Sequence, residues 1–526
     1  SPDIDTVSLA AQLTMAGLEV DSIKPCANIS GPVVVGEILT LRSHPNSERL
    51  SVCGVRGLRG EQFEVVCGAS NLNVGMKVPF AQIGSILPGN LKIKKNLIRG
   101  VESHGMLCAQ AELDLGDDDS GLWELPKDAP VGLLIADYFN LNDKIIEVDL
   151  TPNRGDCLSI SGIAREIGVL NKLCIKEIDC HPVEPIIEDK IQVDIDSDAC
   201  GRYVGRVIRG VDLSCKTPIW MQENLRRAGL RCLSPVVDVT NYVMLEMGQP
   251  MHAFDRAKLS DKVIVRMGNN ERLRLLDDTE ILLDETTLII ADAEIPLAVA
   301  GIMGGKNSAV SDSTDEIILE SAWFNPLAIA SKARLYGKHT ESSHRFERGI
   351  DSSFQVAAME RATALIIRIC GGHAGPIVLE EAVHNLPKHS EITLYYSNVS
   401  KLLGVEIGSK HIEDILIRLG LYQLSKDHLC SLWQPPPWRS DLRIEQDLIE
   451  EIARIFGYNN IPVATPVAPL VIKPNTETLN AVSKVTAHLT ARGYRDVISY
   501  SFVDFKLQQL LEPDRVAVRL SNPISN

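Results

Sequence analysis

Hydrophobic and polar positions along the chain change texture several times. Leu9, Leu13 and Leu18 mark a short amphipathic stretch within residues 1 to 30. From Gly31 to about Phe139 the spacing becomes that of short strands. Val33 to Val35, Phe63 to Val66 and Lys77 to Phe80 are β-like runs cut by glycine turns such as Pro88-Gly89-Asn90. This predicts a small barrel inserted into an N-terminal unit that resumes near Asp143. From about Ala199 to Ile377 strands alternate with helices. Thr217-Pro218 predicts a helix start with proline in the first turn, and Gly229 its stop. Val356, Met359, Ile366 and Ile369 recur at helical spacing ahead of Gly371-Gly372. Next, Pro435-Pro436-Pro437 leads into a helix predicted from Arg443 to Phe456. Beyond a linker at Pro474, the residues Leu479, Val482, Val485 and Leu489 predict one more helix, stopped by Gly493, and Val497 to Phe502 reads as a strand. The pattern is still running at Asn526, so the last domain reads as cut. The expected architecture is a multidomain α+β protein with units at 1–30 plus 140–195, 31–139, 199–378, 388–463 and 470–526.

A chain of 526 residues fits about three to five domains, and 45% hydrophobic content gives it cores to bury. The formal charge of −16 argues against coating nucleic acid by bulk charge, so any RNA must bind a local patch. Twelve cysteines include no C-x-x-C pair and read as free thiols in a reducing cytosol. No apolar run reaches roughly 18 residues and no leader pattern is visible. The first residue, Ser1, leaves a missing leader open.

Candidate chemistry lies in three segments of the 199–378 unit. Gln249-Pro250-Met251-His252 and the run from His339 to Gly349 carry small hydrogen-bonding residues where a packed domain would carry aliphatics. Glu320 ends the apolar run Ile317-Ile318-Leu319, where an unpaired carboxylate is costly. On residue type alone Glu320 reads equally as a surface cap or salt-bridge partner, and His252 as a satisfied structural histidine. Arg345, Glu347 and Arg348 read as an ion-pair network holding their loop. Gly301, Gly304 and Gly305 allow close backbone approach. Asp441, Asp447, Glu450 and Glu451 accompany the stripe Ile444, Leu448, Ile452 and Ile455; such carboxylates suit magnesium, and equally suit helix capping and i,i+4 pairing. Lys92, Lys94, Lys95 and Arg99 form the densest basic cluster of the β-rich insert, a candidate phosphate track or a solvated strand face. No glycine-rich nucleotide loop and no complete ATP site is visible.

Residues 14–21 (TMAGLEVD), 44–46 (HPN), 151–154 (TPNR), 237–242 (VDVTNY), 249–255 (QPMHAFD) and 456–462 (FGYNNIP) form an ordered set spanning nearly the whole chain. In that order they resemble the beta chains of bacterial phenylalanyl-tRNA synthetases. The resemblance implies an OB-fold tRNA-binding barrel at 31–139 inserted in an N-terminal α/β unit, and a mixed α/β editing domain at 199–378. It further implies a small helix-containing α/β domain and the start of a catalytic-like class II synthetase domain. The chain would then be a fragment lacking the extreme N-terminus and the C-terminal portion.

By resemblance, the editing domain hydrolyses tyrosine wrongly joined to phenylalanine tRNA. An apolar pocket rejects one extra hydroxyl by only about a hundredfold, so a second, hydrolytic site is useful. Glu320 matches the residue that senses the phenol and His252 the pocket histidine beside the water. Thr240, Asn241 and Thr340 match positions near the ester and terminal adenosine, with Gly301, Gly304, Ser342 and Pro250 lining the pocket. Ser342 departs from the alanine common there. Asp441, Asp447, Glu450 and Glu451 match magnesium ligands at a site shared with the alpha chain, which binds ATP. The implied assembly is a cytoplasmic alpha-2 beta-2 tetramer holding phenylalanine tRNA, with no membrane. A free-standing editing hydrolase and a non-enzymatic tRNA-binding scaffold are the rival readings.

Overall fold

The computed structural model describes residues 2–260, 262–388, 390–465, 467–472 and 481–523. Pro474, Leu479 and Asn526 lie outside the described residues. Two compact units are present, Ser1–Pro462 and Val463–Asn526.

At the start of the first unit, Asp5 caps the helix Thr6–Met15 by accepting from the Val7 and Ser8 N–H groups. The strand Glu19–Pro25 pairs antiparallel with Lys144–Asp149, and Leu13, Leu18 and Cys157 close a small core beneath them. Between these two strands sits the predicted insert. Its sheet runs in the order Gly105–Leu107, Lys77–Gln82, Val33–Ser43, Ser51–Arg56, Gln62–Cys67. The His104 N–H donates to the Glu64 carbonyl at 2.9 Å, tying one edge of this sheet to the other. That closure makes a barrel and removes exposed edges.

Residues 192 to 381 build three layers. One sheet joins Gln192–Asp196, Lys262–Met267, Leu288–Ala291, Pro296–Val299 and Met303–Gly304. The other carries Met251–Asp255, Glu316–Phe324 and Cys200–Arg209, with His373–Ala374 and Val378–Glu381 both paired to the last. Strand alternation divides the second sheet cleanly. Tyr203, Val207, Phe254 and Ile318 enter the core shared by the sheets, while Val204, Ile208, Ile317 and Leu319 face a helical layer. The helices Ile219–Arg227, Pro235–Met247 and Gln355–Cys370 form that layer. The expected start near Pro218 and stop near Gly229 fall at the ends of the first of them.

The last part of this unit is a three-stranded sheet, Ile392–Tyr395, Cys430–Gln434 and Tyr422–Lys426, packed with three helices around Trp433. Its final helix spans Glu445–Phe456 rather than starting at Arg443. The Asp447 carboxylate accepts from the N–H groups of Arg443 (2.7 Å) and Ile444 (2.9 Å), so both stay outside the helix as its entry turn.

A buried chain of charges ties this helix to the N-terminal unit. Arg154 pairs with Asp156 (3.0 Å) and Glu166 (2.8 Å), Arg454 with Glu166 and Glu451 (2.5 Å each), and Arg439 with Glu451 (2.7 Å) and Asp441 (2.8 Å). Burial alone would raise the Glu451 carboxyl, but the Arg454 and Arg439 guanidinium groups overcome this and hold it far below the usual range. In the second unit the helix Val482–Ala491 forms as expected, with Gly493 just beyond it at φ +90°. Val497 to Phe502 is not a strand: among the described residues no segment pairs with it, and its apolar side chains are exposed.

Replacing Glu451 with alanine takes one carboxylate partner from each of two buried guanidinium groups, leaving Arg454 on Glu166 and Arg439 on Asp441. The expected loss is about 3–5 kcal/mol of unfolding free energy, measured by urea denaturation at pH 7.

Candidate functional site

A cavity of about 720 Å³ opens between the two sheets, its wall including Thr240, Asn241, Pro250, His252, Glu320 and Ser342. The antiparallel register sets His252 directly opposite Glu320, and Glu320 directly opposite Gly205 on its other side. On adjacent antiparallel strands such partners have Cβ atoms about 4.5–5.5 Å apart. Both polar side chains therefore project from the apolar face that carries Phe254 and Ile318.

Neither polar group is satisfied. Glu320 is 6% exposed, and its Oε2 has no hydrogen-bond partner; the same holds for His252 Nε2. Burial raises the Glu320 carboxyl to about 8, an effect that the nearby Tyr203 hydroxyl only moderates. Burial also lowers His252 to about 4, so the imidazole is neutral at physiological pH. Its ring packs edge-on against Phe254, with centroids 4.5 Å apart. A Cβ at Gly304 would lie 2.5 Å from His252 Cε1 and 2.7 Å from Nε2. Only glycine lets the ring rest against that backbone.

The opposite wall is the turn around Gly301, held by the start of the helix Glu341–Phe346. Thr340 caps this helix by accepting from the Ser343 N–H (3.0 Å) and donates its own hydroxyl to the Ile302 carbonyl (2.8 Å). The Ser342 hydroxyl donates to the Gly301 carbonyl at 3.0 Å. Thr240 Oγ1 likewise donates within its helix, to the Val237 carbonyl at 2.8 Å. The donor hydrogens of all three hydroxyls are thus committed to backbone, which makes Thr340 and Ser342 wall-building residues. Below them, Arg345 pairs with Glu341 (2.6 Å) and bonds the Leu158 carbonyl (3.0 Å), while Arg348 pairs with Glu347. These form the ion-pair network expected of the loop.

The four acidic residues near the final helix do not gather into a metal centre. Among the described residues no group of three or more His, Cys, Asp or Glu is arranged to hold an ion. Glu451 is shared by two arginines, Asp441 is paired twice with Arg439, Asp447 caps the helix, and Glu450 is exposed. Except at exposed Glu450, these carboxylates already face guanidinium or backbone N–H groups, so this chain's own donors do not fit magnesium.

The basic cluster is exposed, but its continuous strand is absent. The strand ends at Lys92, buried Ile93 follows, and Lys94 and Lys95 lie in the irregular link to Asn96–Ile98. Lys94 and Lys95 thus do not form the strand face that the sequence suggested. Lys95 pairs with Glu102 at 2.7 Å. Arg99 instead edges a surface hollow formed with His44, Asn46 and Arg49. Arg49 was not singled out by the sequence, nor were Tyr203 and Gly205, although a glycine inside a strand run hints at a close approach.

Four segments match known families: residues 33–133 a "Putative tRNA binding domain", 199–371 a "B3/4 domain", 392–458 a "tRNA synthetase B5 domain", and 461–526 a "Phenylalanyl tRNA synthetase beta chain CLM domain". Over its whole length the chain is 49% identical to the "Phenylalanine--tRNA ligase beta subunit" of Hahella chejuensis, covering 67% of that protein. Its likeness to the proteins of the same name from Pseudoalteromonas translucida and Pectobacterium atrosepticum is 48% and 47%, covering 66% of each. The chain belongs to the phenylalanine–tRNA ligase beta subunit family. It spans about two thirds of the length of these curated relatives.

Two outcomes follow from the site's electrostatics and packing. In the folded protein Glu320 holds its proton from about pH 4.5 to about 8, whereas the unfolded chain releases it near 4.5. Stability contributed at this position therefore falls as pH rises through that window. His252 acts oppositely between about 4 and 6.5, where the unfolded chain binds the extra proton and stability grows with pH. Glu320→Gln should accordingly gain on the order of 3 kcal/mol over wild type on passing from pH 4.5 to pH 8, read from paired thermal melts. Gly304→Ala should displace the His252 ring, seen as moved imidazole NMR resonances, at a cost of about 1–3 kcal/mol.

Proposed function

We propose that this chain serves as the tRNA-binding and proofreading part of a phenylalanine–tRNA ligase, and that its central cavity hydrolyses tyrosine wrongly esterified to phenylalanine tRNA. The observation that carries this reading is the pair of unpartnered buried polar atoms, Glu320 Oε2 and His252 Nε2, in one cavity. A buried acceptor without a partner is costly unless a ligand supplies the missing donor. A tyrosine phenol reaching Glu320 does so, and pulls the carboxyl toward its ionised form through a charge-assisted bond. Phenylalanine offers no donor. The difference is worth about 1.5–3 kcal/mol, roughly ten- to a hundredfold in selectivity.

His252 is too weak a base at neutral pH to remove a proton outright. Its free Nε2 suits orienting a water against the ester carbonyl. Hydrolysis adds that water to the carbonyl carbon, breaks the bond to the ribose oxygen and returns a proton to the ribose hydroxyl. Asn241, on the cavity wall, suits a polar group of the ester or the terminal adenosine.

In this reading residues 31–139 are an OB-fold that binds tRNA, with Arg99 and Lys92 among its phosphate contacts, and 199–378 is the editing domain. Residues 388–463 form the small domain after it, and 470–526 begin a class II catalytic-like domain. An alpha chain binds ATP and activates phenylalanine with magnesium, and the two chains work in the cytoplasm as an alpha-2 beta-2 tetramer. The support is the family membership and the tRNA-binding match at 33–133.

The purified protein should deacylate tyrosyl-tRNA for phenylalanine faster than phenylalanyl-tRNA. Glu320→Ala should erase that preference, and His252→Ala should slow turnover at least tenfold with tRNA affinity unchanged. Equal hydrolysis of both esters by wild type and Glu320→Ala would sink the assignment.

A further inference from the structure

Glu320 has a second neighbour behind it. The register forms a row of Gly205, Glu320 and His252 across three strands, and Gly205 contributes no side chain to it. A Cβ at that position would stand 3.5 Å from Tyr203 Cε1 and 3.2 Å from Ile191 Cγ2. The tyrosine ring therefore lies beside the bare position, on the face that Glu320 occupies. Tyr203 is fully buried and does not line the cavity, yet its hydroxyl is near enough to Glu320 to favour the charged carboxylate. The hydroxyl itself has no hydrogen-bond partner. Phenylalanine would fill the same space without that cost, so the oxygen needs a reason. Burial first, then the charges of Glu320 and Cys200, push the phenol well above its ordinary value, so it stays protonated and acts as a donor.

We propose that Tyr203 is a positioning residue: in this structure its hydroxyl and Glu320 Oε2 are both unpartnered, and when the carboxyl ionises the hydroxyl donates to one of its oxygens, leaving the other for the phenol of the bound amino acid. This rests on the editing function proposed above. The titratable groups facing Glu320 are His252 on one neighbouring strand, and Tyr203 and Cys200 on the other. Elsewhere on the cavity wall stands the exposed Asp312, while Thr340 and Ser342 do not titrate. Without the hydroxyl, the ionised carboxylate has no Tyr203 donor to turn to and the neutral carboxyl is favoured further.

The experiment compares the full chain with Tyr203→Phe, and with 3-fluorotyrosine at position 203, a more acidic phenol of nearly the same size. Tyr203→Phe should move the acidic limb of kcat/KM for tyrosyl-tRNA deacylation to higher pH and reduce tyrosine-over-phenylalanine selectivity about tenfold. Fluorotyrosine should move the limb the other way. The Glu320 carboxyl, assigned against Glu320→Gln and titrated by carbon-13 NMR, should shift in step. Superimposable titrations in all three proteins would overturn the proposal and leave Tyr203 a core aromatic. If wild type fails to deacylate tyrosyl-tRNA, the editing function falls; the Glu320 titration then decides by itself whether Tyr203 holds the carboxylate.

Discussion

The central sheet must keep one register. His252 and Glu320 meet only because Met251–Asp255 aligns with Glu316–Phe324 as it does, and a slip of one residue in the first strand would turn His252 into the helical layer. The apolar neighbours on each strand enforce the alignment. Phe254 and Ile318 are 0% exposed on one face, and Ile317 and Leu319 are 0% exposed on the other. Four well-buried aliphatic and aromatic residues thus hold two costly polar ones in place. Their burial supplies the driving force that a buried acid and imidazole consume.

Charge is handled in opposite ways in two parts of the same unit. Around Glu451 every acid meets an arginine, and the reward is a fixed junction between the N-terminal helix Ile160–Asn171 and the final helix Glu445–Phe456. Around Glu320 no cation approaches closely enough to be among the causes of its shift. The first acid is locked in its charged form and chemically quiet. The second is raised by burial to about 8, close to its transition at physiological pH.

Much of this was legible in the sequence. Period-two alternation and glycine turns marked the barrel, and an acid after Ile317-Ile318-Leu319 marked the cavity, because both are local signals. The resemblance of ordered motifs then joined Glu320 to His252, which spacing alone does not do. What stayed hidden depends on partners far along the chain. Arg439 and Arg454 satisfy Glu451 from different directions, so acids that read as metal ligands turned out to be ion-paired. Lys94 and Lys95 read as strand positions, but the pairing stops at Lys92. Tyr203 carries no local signal, because its place beside Glu320 depends on Gly205 lying opposite that residue across the sheet.

The turn that closes the cavity hangs from a helix of six residues by two side-chain hydroxyls, Thr340 on Ile302 and Ser342 on Gly301. Such a short helix frays readily on its own. The aperture is consequently set by a clasp: a bulkier occupant must unfasten the helix start, losing a cap and both tethers together, so tolerance for size ends abruptly instead of declining by degrees.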